Sequence, residues 1–133
     1  MKSLFIAMAV VSHLLCGCAA LLEQTKQDEY DRTMYAYETA LQLSDFDAIC
    51  RFADPETLSR KNCISRFGDI KIVNFKQTDM KVSDDRSQVQ QEIEIEYHAL
   101  KDIVLQKKQF SQSWIYRKDT GKWVLENGPP PIP

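Results

Sequence analysis

The chain has 133 residues, with 19 acidic and 17 basic side chains, a formal net charge of −2, 27% charged residues and 10% aromatic residues. Acidic and basic residues interleave without long runs of one sign, so neither a nucleic-acid interface nor a polybasic membrane-docking face has sequence support. The charge and aromatic content suit one small folded domain rather than a disordered chain.

Lys2 precedes an apolar stretch from Leu4 to Val11, which Ser12 and His13 interrupt before Leu14-Leu15-Cys16-Gly17-Cys18. The stretch is too short for a permanent bilayer span, which needs roughly 20 apolar residues. It ends in a processing signal rather than a charged stop. Leu15 lies three residues ahead of Cys18 and the small Gly17 just before it, a pattern that resembles a bacterial lipobox. Cleavage before Cys16 would instead put Leu15 where a signal peptidase needs a small residue. Residues 1–17 are therefore read as a lipoprotein signal peptide and Cys18 as the lipidation site, carrying palmitate-type acyl chains. The other reading is an ordinary secretory signal or uncleaved anchor, with Cys18 an incidental thiol. Ala19 rather than Asp follows the cysteine. By analogy with proteobacterial lipoproteins this permits export to the outer membrane, so a lipid-anchored, periplasm-facing location in a bacterial envelope is expected. Loss of the signal leaves about 116 residues, enough for one modest core.

Residues 18–27 read as a short lipidated tether. Asp28 to Leu43 then carry Tyr30, Met34, Tyr37 and Leu41 at helical spacing, with Asp28, Glu29 and Asp31 in the expected first turn. Ser44 has the residue type of an N-cap, with Asp47 as its capping-box partner, and Phe46, Ile49, Cys50 and Phe52 give a second short helix its apolar side. Asp54-Pro55 reads as a fresh helix start, running to about Phe67 with Gly68 as terminator. Cys50 and Cys63 fall on these consecutive helices. In an oxidising periplasm such a pair reads first as a disulfide; two buried free thiols are the alternative. No His or further Cys lies near enough to make a metal site.

From Asp69 the period switches to two. Ile70 to Met80 is a first strand, with a bulge expected where Ile72-Val73 breaks the alternation. Val89 to Leu100 is the clearest strand, with Val89, Gln91, Ile93, Ile95, Tyr97 and Ala99 on one face. Its other face carries Gln90, Glu92, Glu94, Glu96 and His98. A third strand covers about Val104 to Arg117, and Asp119-Thr120-Gly121 turns it into a fourth over Lys122 to Glu126. Residues 128–133 finish as a proline-rich, polyproline-type tail. Helices first and then an antiparallel meander of about four strands make an α+β fold, with the N-terminal helices packed on one face of a curved sheet.

The long first helix, the Leu43-Ser44-Asp45-Phe46-Asp47-Ala48 corner, the Asp54-Pro55 restart and the Trp114-Ile115-Tyr116…Gly121-Lys122-Trp123 hairpin together resemble the NTF2-like (cystatin-like) superfamily over residues 28–127. The resemblance implies a curved sheet wrapping the long helix into a cone, often with an apolar pocket at its mouth. Catalytic members place an Asp or His, often with Tyr, inside that cone. The inward row here offers only Gln91 and Tyr97 as polar groups, so that chemistry does not carry over.

The His98 row with Glu92, Glu94 and Glu96 could in principle bind a metal or move protons. Alternate strand residues are roughly 7 Å apart, however, and a strand facing water needs such a polar row. The sequence also lacks a Gly-x-Ser-x-Gly elbow, a His-Glu-x-x-His motif and a phosphate-binding glycine loop. No catalytic residue, metal or cofactor is expected. Two functions remain: a non-catalytic protein-interaction module that holds an envelope partner, or a carrier of a small apolar ligand lined by Tyr97, Phe110, Trp114 and Trp123.

Overall fold

A computed structural model describes the backbone of residues 2–133 and the side chains from Cys18 onward. The side chains of the signal-peptide reading, residues 1–17, lie outside the described residues. The elements are α1 (Lys2–Gln42), α2 (Phe46–Cys50), α3 (Arg60–Ile64), β1 (Ile70–Val82), β2 (Gln88–Ala99), β3 (Gln106–Arg117) and β4 (Lys122–Leu125). The strands form one open antiparallel sheet in the order β1-β2-β3-β4, with the helices packed against it, which is the expected α+β arrangement.

Helix α1 does not begin at Asp28: the residues 18–27 read as a short tether are already helical. No Gly or Pro interrupts residues 18–42, and Gln24 and Gln27 donate to Asp28 and Asp31 one turn on, both at 2.9 Å. The helix ends where Ser44 adopts a left-handed conformation, φ 52°. Ser44 is consequently not the cap of α2. Asp45 caps it by accepting from the Ala48 N–H at 3.0 Å, while the Ser44 hydroxyl accepts from the Ile72 N–H at 2.8 Å and ties the helix end to β1. The segment after Asp54-Pro55 is likewise shorter than its signals suggested. Asp54 caps only a turn, through the Glu56 N–H at 3.1 Å, because its other oxygen is held by Arg117; the helix starts at Arg60, capped by Ser59.

The core lies between α1, the α2–α3 corner and the inner face of the sheet. Tyr37, Leu41, Ile49, Ile72, Ile93, Ile95, Trp114, Leu125 and Ile132 are essentially inaccessible. The inward row Val89, Gln91, Ile93, Ile95 and Tyr97 is buried as its alternation required. Strand β1 buries Ile70 and Ile72 and half-buries Phe75, while Val73, Met80 and Val82 are exposed; its register shifts twice, at the Ile72-Val73 step where a bulge was expected and again near Thr78.

The proline tail is not a free appendage. Ile132 is in the core, and its N–H and C=O bond Arg66 and Gly68 at 3.1 and 2.8 Å, so the tail is a short strand bridge beside residue 67. Gly68 earns its place here and not as a helix terminator: a Cβ would come within 2.7 Å of the Pro133 carbonyl carbon. Gly128, at φ 69°, starts the tail where a Cβ would collide with the Leu58 side chain at 2.5 Å.

Cys50 and Cys63 are joined by a disulfide with Cα atoms 5.7 Å apart, pinning α2 to α3. The cross-link spans 13 residues, which the chain-entropy treatment values at about 3 kcal/mol. Reduction is expected to destabilise the domain by at most that amount, read as a fall in the urea midpoint, and alkylation of denatured, unreduced protein is expected to label neither cysteine. Full labelling before reduction would refute the cross-link.

Candidate functional site

The carboxylate-histidine row lies on the outer face of the sheet and is paired across strands. Lys107 on β3 reaches Glu96 at 2.7 Å and Glu94 at 3.7 Å, while the Ser111 hydroxyl donates to Glu92. The Lys107 hydrogen bond holds the Glu96 carboxyl below its usual range and raises the lysine in return. His98 places Nδ1 2.9 Å from the carbonyl of Ala99, its own neighbour. Among the described residues, no three His, Cys, Asp or Glu side chains gather as a metal site. The row acts as a solvated ion-pair ladder.

On the inner face, the polar side chains build a chain of hydrogen bonds between α1 and the sheet. Tyr30 donates to Gln91 at 3.3 Å, Gln91 to Gln112 at 2.9 Å, and Gln112 to the Tyr37 hydroxyl at 2.8 Å. Burial pushes the Tyr30 phenol up to about 12 and raises that of Tyr37 further. This ladder has no carboxylate and no His in it. It locks the register of helix on sheet, as buried polar networks do when every member is satisfied.

Among the described residues, the four aromatic residues assigned to a ligand cavity do not gather around one; Trp123 alone of them lines a cleft. Tyr97, Trp114 and Trp123 are buried in the core, and Phe110 is half-buried at its margin. The Trp114 ring packs edge-on against Tyr37 at 5.1 Å, and Trp123 against Tyr30 at 5.1 Å. The Trp123 indole also donates to the Lys26 carbonyl at 2.9 Å, and the Tyr97 hydroxyl to Gln106 at 3.1 Å. The two indoles thus pack ring against ring, while Tyr97 and Phe110 pack in and against the aliphatic core.

Two exposed features lie at opposite ends of the molecule. At one end α1 docks beside the β1–β2 turn, where Lys26 Nζ donates to the Asp85 carbonyl at 3.1 Å. Cys18 lies about 12 Å further out along the helix, its thiol exposed, with Leu21 and Leu22 exposed beside it. At the other end, the loop between β2 and β3 presents Leu100, Ile103, Val104 and Leu105 to solvent, Ile103 with 90% of its surface exposed. Leu43, also exposed, precedes the Ser44 tie to β1 at that end. Lys101 and Asp102 lie within the loop, between Leu100 and Ile103. Strand patterning alone missed this apolar tip. Its signal was the unbroken Ile103-Val104-Leu105 run, which cannot alternate and therefore cannot lie on one face of a strand.

A third feature is the buried Asp54, 1% exposed, whose carboxylate meets Arg117; the same guanidinium reaches Glu56 at 3.0 Å. Burying the carboxylate requires this partner, and the pair fastens the disulfide corner to the β3–β4 hairpin.

No family model matches the chain, and no curated protein matches it. Among solved structures, the intermembrane-space region of the chloroplast protein ARC6 is similar, with 12% identity and a TM-score of 0.45 over 75% of this chain and 92% of that one.

Proposed function

We propose that the chain is a lipid-anchored, periplasm-facing envelope protein that serves as a non-catalytic protein-interaction module. The observation that carries this reading is the apolar tip at residues 100–105, held at the end of the sheet away from Cys18. Leu100 and the Ile103-Val104-Leu105 run are each at least half exposed, and soluble domains seldom leave so many large apolar side chains together in the open unless another surface covers them. Acyl chains on Cys18 would place the opposite end of the sheet at the membrane and point the tip into the periplasm. The core rings, packed against one another, serve a carrier role less well. The outer carboxylates are occupied by Lys107 and Ser111, which suits a structural face better than an acid-base pair.

A photocrosslinking residue at position 103 tests the reading in intact cells. A discrete adduct is expected, lost when Val104→Asp is added and lost when Cys18→Ser abolishes fatty-acid labelling. Absence of any adduct at 103, or an adduct equally strong from position 86 at the membrane-proximal turn, would reject the tip as the contact surface. Fatty-acid labelling that survives Cys18→Ser would reject the anchor.

A further inference from the structure

The outer edge of β4 is only half used. Leu125 turns its backbone away from β3: its N–H donates to the Phe52 carbonyl at 2.7 Å and its carbonyl accepts from the Asp54 N–H at 3.0 Å. Backbone orientation along a strand repeats every two residues, so Trp123 also turns its N–H and C=O outward. Among the described residues nothing pairs with them. Beside this open stretch lies a cleft of about 310 Å³ between α1 and β4, with Phe52, Trp123 and Val124 as its apolar lining. Residues 52–54 show that this edge takes an added chain, since Ala53 already bridges Leu125 in parallel.

The charges around the cleft are unequal. Arg32, Arg51 and Lys122 line it against a single carboxylate, Glu29, whose contact with the exposed Arg32 is loose at 3.9 Å. Asp47 lies next to Arg51 at 3.1 Å, but it also carries Arg60 and so brings no net negative charge. An unpaired strand edge, an apolar floor and a cationic surround together define one kind of occupant. We propose that the cleft binds a short, extended, acidic segment of a partner protein. Its main chain would pair with Trp123 as an added strand in line with residues 52–54, and its carboxylates would meet Arg32, Arg51 and Lys122. This site is separate from the tip at residues 100–105 and stands whether or not the tip has a partner.

The test uses the full chain in detergent micelles and a fluorescein-labelled peptide, Val-Glu-Val-Glu-Val-Glu, read by fluorescence anisotropy. Saturable binding is expected, weakened at least tenfold by the exposed substitutions Arg32→Glu and Lys122→Glu in protein whose melting curve is unchanged. An N-methylated version of the peptide, which cannot pair along one edge, should bind at least tenfold more weakly. The Val-Lys counterpart should not bind. Lack of saturable binding would overturn the proposal. Equal binding of the N-methylated peptide would overturn strand addition, and indifference to charge reversal would overturn the acidic specificity. The tip variant Val104→Asp should leave this binding unchanged, which separates failure here from failure of the tip contact.

Discussion

Deletion of residues 129–133 is expected to destabilise the domain by about 3–5 kcal/mol, read as a fall in the urea midpoint at an unchanged slope. The magnitude follows from Ile132, which is completely buried, since truncating a buried Ile costs about 2–5 kcal/mol. Loss of the bridge to residues 66–68 and of the buried Pro129 and Pro130 adds to it. Against a total stability of about 5–15 kcal/mol, that removes between about a fifth and all of the folding margin. Ile132→Ala should reproduce most of the effect, while Pro131→Ala, on the exposed side of the tail, should have little. A truncated protein as stable as the full chain would show that the tail is dispensable.

Tyr37→Ala is expected to cost a similar amount, because its ring is fully buried and packs edge-on against Phe52, Phe75 and Trp114. Tyr37→Phe separates packing from hydrogen bonding: it keeps the ring but strands the Gln112 amide, for about 1–3 kcal/mol. The same ladder sets an alkaline limit. Tyr30 is held near 12 by burial first and then by the charges of Asp31 and Glu38. Tyr37 is raised by burial, which the Gln112 hydrogen bond only partly offsets. An unfolded tyrosine titrates near 10. The folded state therefore holds these protons more tightly, so their contribution is complete below about pH 10 and is lost as pH rises toward 12 and beyond. Urea midpoints measured from pH 8 to 12 should fall over that window, and less steeply in Tyr30→Phe and Tyr37→Phe. A flat profile would show that neither phenol is held neutral by the fold.

The sheet was legible chiefly because β2 carries an unbroken two-residue period. The row from Val89 to Tyr97 could be assigned to the core, and the bulge at Ile72-Val73 located, without knowing any partner strand. Helix ends were read less well, since their signals are local and ambiguous. Ser44 and Asp54 have cap-type side chains, but Ile72 and Arg117, 28 and 63 residues away, take their oxygens for other purposes. Asp28 and Asp31 look like first-turn acids only if the helix starts there, and nothing in residues 18–27 stops it from starting sooner. The packing of the tail was not legible for a related reason. Three consecutive prolines indicate an extended backbone but not whether that backbone meets solvent or core, and Ile132 decided it. Trp114 and Trp123 could be recognised as large inward rings, whereas whether they enclose a void depends on Tyr30 and Tyr37 from a helix far away in sequence.

The unbroken course of α1 from Cys18 into the domain has a mechanical consequence. A flexible leader would let the tip sweep a hemisphere about its point of attachment. A helix held to the body by the Trp123 indole and by Lys26 makes leader and body one stiff piece, with Cys18 and Gln42 about 36 Å apart along a single axis. Were Cys18 acylated, this stiffness would remove bending of the leader from the motions that set the height of the tip above the lipid, leaving only the pivot at the anchor. A partner at the height the stiff piece reaches would then meet the tip at a higher effective concentration than one lying nearer to or farther from the lipid. Inserting a flexible glycine-serine segment at residue 24 would leave every contact of the folded body in place while removing that selection by height.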